Sequence, residues 1–482
     1  MAEPRRSTTE RRTLAAVVLA AGEGTRLKSA VPKVLHPVCG RPALWHAVRA
    51  ARSARPDKLV IVVGHGADEV RAAVRSWELR PSPVFVEQSE QLGTGHAVLV
   101  ARRAVGRVDD VLVANGDFDP VTEKDVRAIL RRHRRTGAAA TVGSSFLEEP
   151  GGYGRVVREG RRVVGIVEGI DAVAEQLAIR EVATNWMAFR RDRLYATLPR
   201  LDRKNRQREY YLNRAITLLI EDSERVEVVP CDTGGTMGLN SRAGLAQVSR
   251  VIRERINAAH LAHGVTLVDP ASTFIDVDVR IGRDSEIQPH THLLGTTTVG
   301  RGCEIGPSTQ LRDSVVGDRS AVRFSVVEGS RLGRDVEVGP FARIRQGAVL
   351  EDGAVVGNFV EVKDSRLGRR AKAKHLTYLG DADIGDRANI GAGTVTVNYD
   401  GYRKHRTSVG DEASVGSDTM LVAPVTVGKG AVTGAGSVIT DDVPPGALAV
   451  ERADQRIIPG YRQRKDAQHR KGRARRDRGK GA

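Results

Sequence analysis

Residues 19–26 read Leu-Ala-Ala-Gly-Glu-Gly-Thr-Arg, follow the apolar run Ala15–Ala20, and precede Lys33 by a short step. A Gly-rich turn after a buried strand can bring backbone N–H groups against phosphate oxygens. Arg26 and Lys33 add the positive charge that a triphosphate demands. The spacing fits neither the dinucleotide fingerprint nor a Walker loop. The residues alone therefore leave open a tight strand-to-helix turn with solvated basic side chains. Asp117, just past the apolar run Asp110–Ala114, is a strand-end carboxylate that could hold a metal or simply serve the turn. His375 lies in His375-Leu376-Thr377-Tyr378-Leu379-Gly380-Asp381. An imidazole can take a proton from an amine near neutral pH, although a lone histidine among 12 is as a rule a surface or satisfied residue.

These residues need scaffolds, and the chain has two. Residues 13 to about 235 alternate short apolar runs with amphipathic stretches, including Lys58–Gly64, Val84–Glu87 and Ala138–Val142. Such runs indicate buried parallel strands in an α/β domain. Residues 242–264 carry Ala, Leu, Arg and Val at helical spacing and read as a linker helix. From about 281 to 437 an aliphatic residue followed by Gly recurs, as at Ile281-Gly282, Val299-Gly300, Ile305-Gly306, Leu332-Gly333, Val338-Gly339 and Val356-Gly357, and on to Val427-Gly428. Many gaps are multiples of about six residues, and three hexapeptides make one coil of a triangular parallel β-helix. The aliphatic residue should point inward, and Gly should permit the corner geometry. The segments 375–381, 389–393 and 398–401 interrupt this period, and loops on a rigid scaffold carry sites.

The implied domains are a basic N-terminal extension at 1–12, an α/β domain at 13–241, the helix at 242–264, the β-helix at 265–455 and a basic tail at 456–482. With 482 residues the chain has room for several cores. Only 4% is aromatic, which suits the narrow interior of a β-helix. Cys39, Cys231 and Cys303 are far apart and have no zinc-like spacing, so a reduced, cytoplasmic protein is expected. No apolar run is long enough for a membrane span. Over half of the +17 net charge sits in residues 456–482, which hold eleven Lys/Arg against two Asp/Glu. That tail is expected to lack structure. No aromatics interleave its charges, so a solubilising role outweighs a nucleic-acid arm.

LAAGEGTR with Pro32-Lys33-Val34-Leu35-His36 resembles the sugar-1-phosphate nucleotidylyltransferases. Gln88 and Gln91–Ala97, Asn115-Gly116-Asp117, Gly152–Arg155 and Ile166-Val167-Glu168 agree with it in order. Together with the β-helix, residues 13 to about 460 resemble the bifunctional N-acetylglucosamine-1-phosphate uridylyltransferase/glucosamine-1-phosphate N-acetyltransferase family. The resemblance implies an α/β chain with an N-terminal Rossmann-like nucleotidylyltransferase domain, a linker helix and a C-terminal left-handed parallel β-helix of hexapeptide repeats. It implies Mg²⁺-dependent attack of the sugar phosphate on the α-phosphorus of UTP, with release of pyrophosphate. Asp117 and Asn240 match the metal ligands, and Arg26 and Lys33 the phosphate contacts. Leu19 and Gly22 match further UTP contacts, Gln88, Gly93 and Thr94 the uracil-reading positions, and Gly154 and Glu168 the sugar contacts.

For the second half, the resemblance implies acetyl-CoA-dependent acetylation of glucosamine-1-phosphate with His375 as base. Arg345, Lys363 and Lys404 match the phosphate clamp, and Tyr378 and Asn389 the sugar contacts. Ala392, Asn398, Tyr399, Ser417, Ala435 and Arg452 match acetyl-CoA contacts, with the Ala435 N–H facing the developing oxyanion. A homotrimer built through the β-helix is implied, as is a place in UDP-N-acetylglucosamine supply for cell-wall polymers.

The first half departs from the family at three places. In Glu181-Val182-Ala183-Thr184-Asn185-Trp186, Ala183 replaces a sugar-holding Asn and Asn185 a Gly. Asn213-Arg214 stands where the family usually has Thr-Asp, and Asp119 delays the Pro after Asp117. One lost buried hydrogen bond costs about 1–3 kcal/mol, which is about ten- to a hundredfold in affinity. A uridylyl half that is weakened, altered in substrate or only regulatory is the alternative. A two-residue slip would bring Asn185 into the sugar pocket. The acetyltransferase half shows no departure at any of its matching positions.

Overall fold

Seven successive apolar residues, Leu14–Ala20, form a strand whose every residue is buried. The reason is its central place, since it pairs in parallel with Lys58–Val63 on one side and Asp110–Asn115 on the other. Alternate side chains go to opposite faces. Ala16, Val18 and Ala20 join one core, and Ala15, Val17 and Leu19 the other. Across this sheet the strands run Val226–Pro230, Ala140–Phe146, Glu181–Arg190, Asp110–Asn115, Leu14–Ala20, Lys58–Val63 and Val84–Glu87. Glu181–Arg190 is antiparallel to both neighbours, and its register against Ala140–Phe146 shifts between Ala183 and Met187. A bulge of this kind re-aims side chains, and here it accommodates the fully buried Trp186.

The computed structural model describes residues 12–478 apart from 118, 236 and 237. The expected extension at 1–12 lies, but for Arg12, outside the described residues. Among the described residues two compact units emerge, one running up to Val299 and including Gly306–Asp313, the other holding Gly300–Ile305 and the chain from Ser314 onward. In the first unit the helix Arg242–Ala262 starts at Ser241, whose hydroxyl accepts from the Gly244 N–H at 3.1 Å. Among the described residues no helix is long and apolar enough to cross a membrane.

The repeat region is a left-handed parallel β-helix of short strands in three sheets. Val316, Leu332, Leu350, Leu367 and Ile384 pair in register through successive coils, and all five are buried. Each such side chain contributes about 1.5–3 kcal/mol of burial, but only against neighbouring coils. Coil length departs from a strict eighteen. Val316 and Leu332 are sixteen residues apart, and Leu367 and Ile384 seventeen. The repeated Gly serves close approach more than corner conformation. A Cβ on Gly317 would sit 2.5 Å from the Gly333 carbonyl oxygen. Left-handed corners fall instead on residues such as Asp335, Phe341 and Arg370.

The tail departs from its expected lack of structure, for Tyr461–Arg478 is a helix. Arg, Lys, Gln and Ala are good helix formers, while the side chains of 461–471 remain exposed.

Candidate active sites

The Gly-rich turn opens from the end of the central strand into a cavity of about 220 Å³. Leu19, Gly22, Lys33, Gln88, Gly93, Thr94 and Asp117 line it together. Gly24 adopts φ 68°, and a Cβ there would lie 2.5 Å from the Lys33 Cβ. That glycine lets the Lys33 stem pass the turn. Lys33 Nζ then donates to Asp117 Oδ2 at 2.5 Å and to Asn240 Oδ1 at 2.8 Å. Arg26 Nη2 donates to the same Asn240 oxygen at 3.3 Å. A larger cavity of about 540 Å³, between His46 and Ile281, contains none of the expected site residues.

Asp117 Oδ1 is buried and has no hydrogen-bond partner among the described residues. One ammonium reaches both Asp117 and Asn240, so their oxygens converge on a small volume. A hard divalent cation held by one or two protein oxygens plus substrate phosphates fits this donor set. Asp117 and Asn240 are therefore suited to Mg²⁺.

The loop from Gln88 to Thr94 is fixed by its own bonds. Gln88 is buried, and its Nε2 donates to the Gly93 carbonyl at 3.1 Å. Gly93 has φ 107°, and a Cβ there would meet the Tyr210 backbone at 2.8 Å. Thr94 Oγ1 accepts from the Leu212 N–H at 3.0 Å, which ties this loop to the helix Leu212–Glu221.

Gly154, Glu168 and Ala183 meet beside Asn213. The Ala183 N–H donates to the Gly154 carbonyl at 2.8 Å. Asn213 Nδ2 donates to Glu168 Oε1 at 2.7 Å. Burial raises the Glu168 carboxyl above its ordinary range, and the bond from Asn213 opposes that rise.

Two of the three departures from the family act differently from what residue type suggests. Arg214 reverses no charge in the pocket, because its guanidinium pairs with Glu221 at 2.8 Å on the exposed face of its own helix. Asn185 does not take the place of the missing carboxamide at 183. Its backbone N–H donates to Asp119 Oδ2 at 2.8 Å, and its side chain faces the same carboxyl. Asp119 is buried, with Oδ1 unpartnered among the described residues. Burial and the neighbouring Asp117 carboxylate push Asp119 up to about 7.

Of the three expected interruptions in the second unit, 398–401 is a loop, whereas 375–381 and 389–393 lie in regular coils, where Val356, Ala373 and Ile390 pair in register at seventeen-residue spacing. Asp386 and Asp411 on successive coils are 25 residues apart, and the excess holds the loop 398–405. A bridge between Tyr399 and Lys404 closes that loop. Strand registers line up the acetyl-transfer candidates along one edge of the coils. Asn358 pairs with His375, and extending the match of Ala373 with Ile390 by two residues sets Ala392 next. Asn389 pairs with Ser414, so Ser417 follows Ala392. Ser414 pairs with Val432, so Ala435 follows Ser417. Arg452 Nη1 donates to the Ala435 carbonyl at 3.2 Å.

His375 is exposed, and its Nδ1 lies 2.9 Å from Asn358 Oδ1. That oxygen can only accept, which places the ring proton on Nδ1 and leaves Nε2 with a free lone pair. Lys404 lies against Lys363, and the second ammonium pushes the Lys363 pKa below its usual range. Arg345 is one coil earlier and pairs with Glu361 at 2.7 Å. A phosphate dianion would relieve this concentration of positive charge. Tyr378 shares the strand Tyr378–Gly380, whose Gly380 leaves room for the phenol oxygen. Asn398 is buried and donates to Asp381, whereas Tyr399 is exposed.

A family model described as a MobA-like NTP transferase domain matches residues 16–215. The bifunctional protein GlmU of Syntrophotalea carbinolica is 47% identical over 457 residues, covering 94% of this chain and 97% of that one. The bifunctional protein GlmU of Halalkalibacterium halodurans is 43% identical over 443 residues, covering 91% and 96%. The chain belongs to the bifunctional GlmU family. A solved structure of a UDP-glucose pyrophosphorylase complexed with UDP-glucose matches at a TM-score of 0.43 and 17% identity, covering 50% of this chain and 99% of that one.

Within the GlmU family frame, three residues in these sites had no assigned role from sequence. Asn358 holds His375 from the preceding coil, a partnership visible only once coil length is known. Tyr153 sits inside a family motif, and its hydroxyl accepts from Asn240 Nδ2 at 3.2 Å. Asn213 appears in sequence only as a departure, yet it is the residue bonded to Glu168.

Proposed function

We propose that this chain acetylates the amino group of glucosamine-1-phosphate with acetyl-CoA and then joins the product to uridylyl from UTP. The final products are UDP-N-acetylglucosamine and pyrophosphate. The observation that carries the uridylyl assignment is the bridge from Lys33 to Asp117 and Asn240 at the mouth of a cavity that also holds Gln88, Gly93 and Thr94. Arg26 and Lys33 hold and align the triphosphate, which in phosphoryl-type transfer supplies most of the catalysis. Mg²⁺, held by Asp117 and Asn240, supplies neutralisation of the charge on the phosphates. Glu168 and Gly154 border the sugar.

In the acetyl-transfer half, His375 Nε2 accepts the proton from the amine as it attacks the thioester carbonyl. Asn358 fixes the tautomer. Arg345, Lys363 and Lys404 bind the phosphate of the sugar, and Tyr378 and Asn389 its ring. Ala392, Asn398, Tyr399, Ser417, Ala435 and Arg452 accept acetyl-CoA along the same edge, where the Ala435 N–H offers a donor to the oxyanion.

A homotrimer is supported by an exposed apolar column. Phe324, Phe341 and Phe359 follow one another on successive coils, the first pair tilted with centroids 5.7 Å apart and the second stacked at 5.6 Å, and Leu376 beside His375 is 63% exposed. Light scattering should give three times 52.1 kDa. A cytoplasmic location is supported by three free cysteines. One-vessel conversion of glucosamine-1-phosphate, acetyl-CoA and UTP to UDP-N-acetylglucosamine tests the full sequence. Accumulation of N-acetylglucosamine-1-phosphate without further conversion would refute the second step.

A further inference from the structure

The sugar subsite contains one side-chain amide with an uncommitted acceptor. Asn213 lies in the first turn of the helix Leu212–Glu221 and donates through Nδ2 to Glu168 Oε1 at 2.7 Å. This bond fixes the orientation of the amide, because the opposite one would set two oxygens against each other. Asn213 Oδ1 is then left buried and without a hydrogen-bond partner among the described residues. A buried carbonyl oxygen without a donor is costly, and native structures rarely leave one so without reason.

Its neighbours define what could supply that donor. Gly154 lies directly against the amide, for a Cβ there would be 2.9 Å from Asn213 Nδ2 and 3.7 Å from Glu168 Oε2. On its other side the Gly154 carbonyl accepts from the Ala183 N–H at 2.8 Å. Ala183 offers no polar side-chain atom to this pocket. Asn213 therefore approaches Gly154 from the helix side, while position 183 borders it from the sheet side.

We propose that Asn213 is a specificity-determining residue of the uridylyl site, accepting the acetamido N–H of the bound sugar in place of a side chain at position 183. This deepens the uridylyltransferase reading and rests on it. Nδ2 stays on Glu168, so one side chain both orients that carboxylate and reads the sugar. The two departures, Ala183 and Asn213, become a relocation of one carboxamide across Gly154.

Calorimetric titration with UDP-N-acetylglucosamine and with UDP tests this without requiring turnover. Asn213→Ala and Asn213→Thr should each weaken UDP-N-acetylglucosamine binding by about ten- to a hundredfold and leave UDP binding unchanged. The double variant Ala183→Asn/Asn213→Thr should recover most of the loss. Unchanged UDP-N-acetylglucosamine binding in both single variants would overturn the proposal, as would equal weakening of UDP. A wild-type chain that binds UDP-N-acetylglucosamine but releases no pyrophosphate would instead fault the uridylyltransferase reading.

Discussion

The backbone N–H of Asn185 donates to Asp119 Oδ2 at 2.8 Å, across 66 residues of sequence. Both residues are departures from the family pattern, and each provides the other's partner. Asp119 lies buried near Asp117, and the Asn185 N–H bonds its carboxyl there. Asn185 in turn fits because the strand Glu181–Arg190 bulges between Ala183 and Met187.

Asp119 gives the metal-free protein a pH signature. It titrates at about 7 when folded, against about 3.9 in an unfolded chain. Between these values the folded chain holds a proton that the unfolded chain has lost. The stability contribution is thus full below about pH 4 and declines as pH rises toward 7. Asp119→Asn keeps an acceptor for the Asn185 N–H and should remove this slope. Denaturant melts in a chelator across that range would contradict the assignment if both proteins lost stability equally.

Gly93 should tolerate no side chain. Its φ of 107° and the Tyr210 backbone 2.8 Å from a would-be Cβ both oppose one. Gly93→Ala should cost about 1–3 kcal/mol of local strain and raise the KM for UTP, with acetyl transfer unaffected. An unaltered KM would show that the loop does not bind the nucleotide.

The fold and most site positions are legible in sequence for identifiable reasons. Aliphatic-Gly pairs mark the coils because each aliphatic residue must stack inward. The run Ala15–Ala20 marks a central strand because both its faces are covered. Local motifs also locate Lys33, Asp117 and His375. Exchanges such as Asp119 with Asn185 and Glu168 with Asn213 leave no local trace, since their partners lie 66 and 45 residues away. Arg214 misleads for the same reason. Residue type announces a charge reversal, but only the helix face shows the guanidinium turned to Glu221.

That geometry makes Arg214 dispensable. Arg214→Ala should keep uridylyl kinetics within about twofold, and its exposed pair with Glu221 contributes no more than about 1 kcal/mol. A large rise in the sugar-phosphate KM would place the side chain in the pocket after all.

Asn358 should act on acetyl transfer only through His375. Asn358→Ala frees the imidazole tautomer and should lower kcat by about tenfold or more, within the range that a positioned base supplies, with the KM for acetyl-CoA little changed. Restoration by Asn358→Asp would confirm the acceptor role, and a KM effect alone would count against it.

Two chemistries are assigned to two separate sites of one chain. The direct measurement pairs pyrophosphate release from UTP and N-acetylglucosamine-1-phosphate with thiol release from acetyl-CoA and glucosamine-1-phosphate, in the wild type, Asp117→Ala and His375→Ala. The wild type should show both. Asp117→Ala should lose about a hundredfold or more of pyrophosphate release alone, and His375→Ala a similar factor of thiol release alone. Loss of both activities in either folded variant, or a wild type lacking one of them, would contradict the account.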